Sequence, residues 1–460
     1  MKNSLSLLAL VLFSVTGFSQ VRWVTTLADD TIPGTLRYEI DHAPAQAQIR
    51  FVDSILPNGS DTLHLDSVIY ITKAVDIRGY MRNGDTVFIS GDSATQIFSI
   101  DMTTAGSGLR DLKLDSLAII KGFSSIGGAI EMVHIEHTEI TNCYFSHCSS
   151  IYGGGAIDCD RVGGNPWAFL IFSNNTFEEN EGPSIVRIVD VQQIRVSDIV
   201  LKNNASARCF RIAANGKLIA TRVYAFNNYE VNPFGANYAI TIGADTLMTD
   251  SLFAFDNTEC GGFSFGGQRQ HHNHIYAINN TQPNGSGGIE SVWYYSSGTP
   301  PTFENCVIKD NTGGLSGGMS MNAMVLKNSI VRNNTSTNFT GVGGIQFGSS
   351  THVSSHIMNC SIDSNSAATG RGGGIYGQPK GLYISGSTIH SNSGATKGGG
   401  IYIWDADTLV IHNSFIGDNF GNEYGGVYAR FDAYTEVKNS TIAYNVSNQG
   451  SGGLFNQGSL

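Results

Sequence analysis

The chain has 460 residues, of which 55 are glycine against a usual share of ~7%, and charged residues make up 14% where about 25% is typical. With 41% hydrophobic residues, that composition excludes an intrinsically disordered chain and points to an ordered, turn-rich β protein. A net charge of −11 argues against nucleic acid as a partner, and the length exceeds what one globular core normally holds, so several domains or a solenoid is expected.

In chain order, residues 1–19 carry Lys2, an apolar run from Leu5 to Val15, and the small residues Gly17 and Ser19 before Gln20. This is the pattern of a cleaved secretory signal, and the run is too short to span a bilayer. No later stretch is long and apolar enough to be a membrane span. Export permits disulfides, but the seven cysteines (Cys143, Cys148, Cys159, Cys209, Cys260, Cys306, Cys360) are odd in number and lack the spacing of a stapled domain or a zinc site. Residues 20–50 are expected to form a cap. Leu36 and Ile40 are spaced for one face of a short helix, which would cover the exposed edge of the first coil. Short apolar alternations follow from residue 51 onward, at Leu63 and Leu65, Ile69 and Ile71, and Val75 and Ile77.

From about residue 127 a repeat can be counted. Glycine runs precede Tyr376, Tyr402, Tyr428 and Phe455, in steps of 26, 26 and 27 residues. Between them recurs a heptad N-x-x-φ-x-x-N, where φ is apolar or aromatic. Its last position aligns at Cys148, Asn180, Asn203, Asn227, Asp256, Asn279, Asn311, Asn334, Asn365, Asn392, Asn419 and Asn445. The φ residues are Phe145, Phe177, Val200, Tyr224, Phe253, Tyr276, Ile308, Val331, Ile362, Ile389, Ile416 and Ile442. A mean interval of 27 residues suits three short strands and three turns, stacked coil on coil as an all-β, single-stranded parallel β-helix solenoid. The asparagines would form a ladder that satisfies backbone groups at an inward turn. The paired glycines would serve positive φ or tight turning.

The motifs Gly127-Gly-Ala-Ile130 and Gly154-Gly-Ala-Ile157, with Phe177-Glu-Glu-Asn180, resemble the paired GGA[I/L/V] and FxxN repeats of chlamydial polymorphic outer membrane proteins. More broadly, residues 50–460 are similar to the right-handed, pectin-lyase-like β-helix superfamily. The resemblance implies the right-handed coil. It leaves activity open, because that superfamily includes adhesins, tailspikes, lyases and hydrolases.

The strand after each glycine pair alternates apolar residues with a column expected to face solvent: Glu131, Asp158, Arg187, Arg211, Thr241, Ser264, Glu290, Ser320, Gln346, Tyr376, Tyr402, Tyr428 and Phe455. Two neighbourhoods in it could carry chemistry. In the first, Asp158 and Asp160 adjoin Arg187 and Arg211. These are candidate catalytic residues for a uronate lyase, with acids holding Ca²⁺ and arginine abstracting a proton, or for a hydrolase carboxylate pair. Inter-coil charge pairing is the simpler reading. In the second, Tyr376, Tyr402, Tyr428 and Phe455, with Trp404 and Arg430 two positions on, could form either a stabilising stack or a glycan-binding platform. Eight coils, or about 38 Å at ~4.8 Å per coil, separate the two.

Among lesser signals, His271, His272 and His274 are read as loop or surface residues, and no metal site is assigned. The expectation is an exported, secreted or surface-displayed β-helix of adhesin-like or structural type. It would bind polysaccharide or a cell-surface protein, without a resident cofactor. The alternative is a lyase or hydrolase of acidic polysaccharide, which alone would call for Ca²⁺. Residues 450–460 begin another coil and stop before its heptad, so the β-helix of residues 51–460 reads as truncated, with an anchoring region beyond it, or as needing a partner there.

Overall fold

The computed structural model describes residues 20–457 except 58, 83, 106–109, 161–167, 231–234, 294–298, 350–352 and 431–432; the expected signal segment lies outside the described residues. The chain winds about 15 times at ~27 residues per coil as one parallel β-solenoid. One coil shows the plan: strands Ile345–Phe347, Ser355–Met358 and Ser361–Asp363 each pair in parallel with Ile375–Gly377, Gly381–Ser385 and Thr388–His390 of the next coil. Inward side chains such as Ile345, Ile357 and Ile362 are wholly buried and stack on their equivalents, giving one continuous apolar core along the axis. Among the described residues no helix is long and apolar enough to cross a membrane.

At the start, strand Val21–Val24 pairs with Ala47–Phe51, which pairs in turn with Val75–Arg78. Helix Leu36–Asp41 lies between the first two, its N-terminus capped by Thr35 Oγ1, which accepts from Tyr38 N–H at 3.3 Å. Leu36 and Ile40 turn into the core. Arg22 donates to Glu39 of this helix at 2.6 Å and so ties the first strand to it.

An asparagine ladder runs from Asn180 to Asn445, and it corrects the heptad alignment in four coils. Its members are Asn180, Asn204, Asn228, Asn257, Asn280, Asn311, Asn334, Asn365, Asn392, Asn419 and Asn445. The aligned Asn203, Asn227, Asp256 and Asn279 instead stand exposed in the left-handed region, with φ of 57, 54, 57 and 55°. Each immediately precedes an asparagine, and that asparagine turns inward. The inward φ positions are therefore Leu201, Ala225, Ala254 and Ala277, all fully buried, while Val200, Tyr224, Phe253 and Tyr276 point outward. Asn and Asp tolerate the left-handed conformation better than bulkier residues do, so a doublet supplies both the bend and the ladder rung.

The paired glycines are required by close approach more than by backbone sign. A Cβ on Gly400 would sit 2.7 Å from Gly426 O and 3.0 Å from the Asn419 amide, and of these pairs Gly127 has a φ of +66°. All seven cysteines are buried free thiols. Cys306 and Cys360 belong to a second ladder of small residues, in which Cys306 N–H donates to Ser329 Oγ and Cys360 N–H to Ser387 Oγ, at 3.0 and 3.1 Å.

Candidate functional site

Strand pairing joins Glu131, Asp158, Arg187, Arg211, Thr241, Ser264, Glu290, Ser320, Gln346, Tyr376, Tyr402, Tyr428 and Phe455 in one unbroken register, each opposite the next. The column lies outside the main core. Its expected exposure to solvent, however, does not hold at the two neighbourhoods that mattered.

Asp158 is 1% exposed. Its Oδ2 accepts from Gly154 N–H at 2.8 Å and its Oδ1 from Arg187 Nη1 at 2.9 Å, while Arg187 Nη2 reaches Asp160 Oδ2 at 2.7 Å. Burial pushes the Asp158 carboxyl up, and the Arg187 charge and the Gly154 N–H oppose it. Burial also works to lower the Arg187 guanidinium, but its bonds to the two aspartates outweigh this and raise it. Arg211 stacks one coil further on. Burial, together with Arg208 and Arg187, lowers it. The four candidate residues are thus brought together: the Arg187 guanidinium spans the two carboxylates, and Arg211 stands one coil on, outside that network. A cation on Asp158 would have to displace Arg187.

The tyrosines are likewise covered: Tyr376 and Tyr402 are 7% exposed and Tyr428 5%. Ring centroids lie 5.3 Å apart for Tyr376–Tyr402, 4.4 Å for Tyr402–Tyr428 and 5.7 Å for Tyr428–Phe455, with planes within 15° of parallel. Tyr424 closes over Tyr428 at 4.3 Å, Arg371 over Tyr376 at 5.9 Å, and Arg430 over Trp404 at 5.9 Å. Rings stacked along the axis occupy one another's faces and present edges, whereas a sugar stacks on a face. Trp404, Arg430 and Phe455 remain half-buried at the margin of this cluster. The outward Tyr224, Phe253 and Tyr276 stack in the same manner, at 4.7 and 4.8 Å.

His272 is fully buried between Phe265 and Phe303, its ring nitrogens bonded to Thr249 and Gln270, and burial pushes it down to about 3. His274 pairs with Asp250. Among the described residues no group of three or more His, Cys, Asp or Glu side chains is placed to hold a metal ion.

Sequence reasoning missed a cleft of about 690 Å³ at the N-terminal end, lined by Trp23, Arg50, Arg78, Met81, Arg82 and Asp115 among others. Parallel register sets Trp23 opposite Arg50, Arg50 opposite Arg78, and Arg78 opposite Asp115. The hairpin of Met81–Arg82 with Asp85–Ser90 projects beside this row. It leaves the coil at Gly79, where a Cβ would strike Ser116 O at 2.1 Å. An outward Trp-Arg-Arg-Asp sequence across four coils is readable only once the register of these irregular first coils is known.

Residues 255–420 match the family model described as "Right handed beta helix region". Among solved structures, the chain is similar to the A-modules of two mannuronan C-5 epimerases of Azotobacter vinelandii, AlgE4 and AlgE6, each at 13% identity with a TM-score of 0.34. The alignments cover 95% of this chain and 99% of the AlgE4 module, and 92% and 95% for AlgE6. No curated protein matches the sequence.

Proposed function

We propose that this protein is an exported, surface-displayed β-helix that works as a binding or structural rod, adhesin-like in type, with polysaccharide or cell-surface protein as its partner. The observation that carries this reading is the Arg187 bridge between Asp158 and Asp160. A general acid or base must reach the proton it transfers, and the buried Asp158 has both oxygens bonded within the protein. The outward column elsewhere serves the same end, with stacked rings that hold coil to coil. Export rests on the pattern of residues 1–19.

The test is incubation of the full chain with polyuronates, with and without Ca²⁺, followed by absorbance at 235 nm and chain-length analysis. Unchanged polymer together with measurable retention on a glycan array is expected. Depolymerisation that is abolished by Arg187→Ala would instead establish the lyase reading.

A further inference from the structure

The N-terminal cleft gathers three arginines in its lining. Of its three arginines, Arg78 is held by the buried Asp76 at 3.1 Å, and Arg82 by Asp53 at 2.9 Å. Arg50 has no carboxylate partner among the described residues. Its Nη2 donates to the neutral Gln48 amide, and its Nε has no hydrogen-bond partner. One guanidinium at the cleft wall is therefore without a direct carboxylate partner.

Beside it lies an open aromatic surface. Among the described residues strand Val21–Val24 pairs only with Ala47–Phe51, and Trp23 is 48% exposed. Among the described residues no ring stacks on it. This sets it apart from the tyrosines further along, whose faces are filled. At the far end of the row, Asp115 Oδ1 accepts from Thr141 and Asn142, at 2.8 and 2.6 Å, whereas Oδ2 has only Ser116 Oγ, at 3.3 Å. That oxygen can still accept a hydroxyl. The Arg82–Asp53 pair bridges the hairpin to the turn Asp53–Ile55 and forms the rim. Three steps of ~4.8 Å put the row from Trp23 to Asp115 at about 14 Å.

We infer that this cleft binds a short glycan segment carrying one carboxylate-bearing sugar residue, with that residue's pyranose C–H face on Trp23, its carboxylate on Arg50, and hydroxyls of a neighbouring sugar residue toward Asp115. A planar guanidinium matches a carboxylate in bidentate geometry, and an open indole face offers apolar contact to a ring. A dianion such as phosphate would face Asp53 and Asp115 in the cleft lining, with only Arg50 free of a carboxylate partner to receive it, so a single carboxylate suits the site better. The inference rests on the binding reading above and names its site and ligand class.

The experiment titrates the full chain with an oligoglucuronate and with its carboxyl-reduced counterpart by calorimetry. Saturable binding of the oligoglucuronate is expected, at least tenfold weaker for Trp23→Ala and for Arg50→Gln, and partly restored by Arg50→Lys. The exposed Trp23 and the partly exposed Arg50 can be replaced with little loss of fold, checked by circular dichroism. Arg222→Gln, remote on the rod and paired with Asp198, should bind as the wild type does. Three outcomes overturn the proposal: no binding of the oligoglucuronate, equal binding of the carboxyl-reduced glycan, or binding untouched by both cleft variants. The last would leave the rod a glycan binder through another surface; silence on a broad glycan and surface-protein screen would remove the wider reading as well.

Discussion

Asn204 Oδ1 accepts hydrogen bonds from both the backbone N–H and the side-chain amide of Asn180, one coil earlier, at 2.9 and 3.1 Å. The amide of Asn204 then donates to Phe177 O at 3.1 Å, so each rung satisfies the turn before it and engages the rung after it. Its neighbour Asn203 takes no part and supplies only the left-handed bend, at φ 57°.

Asn204→Ala should therefore cost about 2–4 kcal/mol by leaving buried backbone groups unpaired. Asn203→Ala should cost about 1 kcal/mol, because alanine lacks the short polar side chain whose local hydrogen bonding lets asparagine tolerate the left-handed region. Urea denaturation of the two variants measures the difference, and the opposite order would refute the assignment of Asn204 as the inward rung.

Arg187→Ala leaves the Asp158 carboxylate buried without its cation, a change of about 3 kcal/mol at neutral pH. Asp160→Asn, at the exposed side of the same arginine, should cost under about 1 kcal/mol. The sign with pH follows from the upward shift of Asp158. A carboxyl raised by burial binds its proton more readily in the folded state, so its contribution to stability is present at low pH and is lost as pH rises through the folded value. The deficit of Arg187→Ala should accordingly shrink on acidification, read as the difference in Tm from wild type across a pH series.

Tyr402 has a ring on each face, at 5.3 and 4.4 Å. Tyr402→Ala should lower stability by about 3–5 kcal/mol, as for other buried aromatic truncations, and Tyr402→Phe far less. Equal Tm values for Tyr402→Ala and wild type would mean that the stack does not hold these coils together.

His272 is held neutral, with burial pushing it down to about 3. A lowered histidine contributes stability above its unfolded value of ~6.5, and this is lost as pH falls toward the folded value, because the unfolded chain takes up the proton first. His272→Phe, which fits between Phe265 and Phe303, should flatten the acid limb of the stability profile although it forfeits the bonds to Thr249 and Gln270. An unchanged acid limb would assign that slope to other groups.

The coil period and the one-residue-per-coil column from Glu131 to Phe455 were legible in the sequence because each coil makes the same contacts with the next. Inward Ile375, Ile401 and Val427 recur with their outward neighbours Tyr376, Tyr402 and Tyr428, and regular spacing alone aligns them. Where the spacing carried a doublet, at Asn203-Asn204 or Asn227-Asn228, pattern could not choose the inward member. That choice belongs to the backbone, which must place one left-handed residue immediately before the rung.

The candidate site was legible as a set of neighbours and illegible as a state. The register predicted that Asp158 and Arg187 adjoin, yet whether the pair is open to a substrate depends on where a flexible guanidinium comes to rest and on what closes over it. The sequence by itself determined the all-β solenoid, its period and which residues share a column, since these follow from local periodicity repeated along the chain. Only the tertiary structure decided the burial of the tyrosines under Tyr424 and Arg371, the capture of Asp158 by Arg187, and the meeting of Trp23, Arg50, Arg78 and Asp115 in one cleft. Those depend on side-chain reach between coils and on the irregular hairpin at Met81–Arg82, neither of which a repeat period encodes.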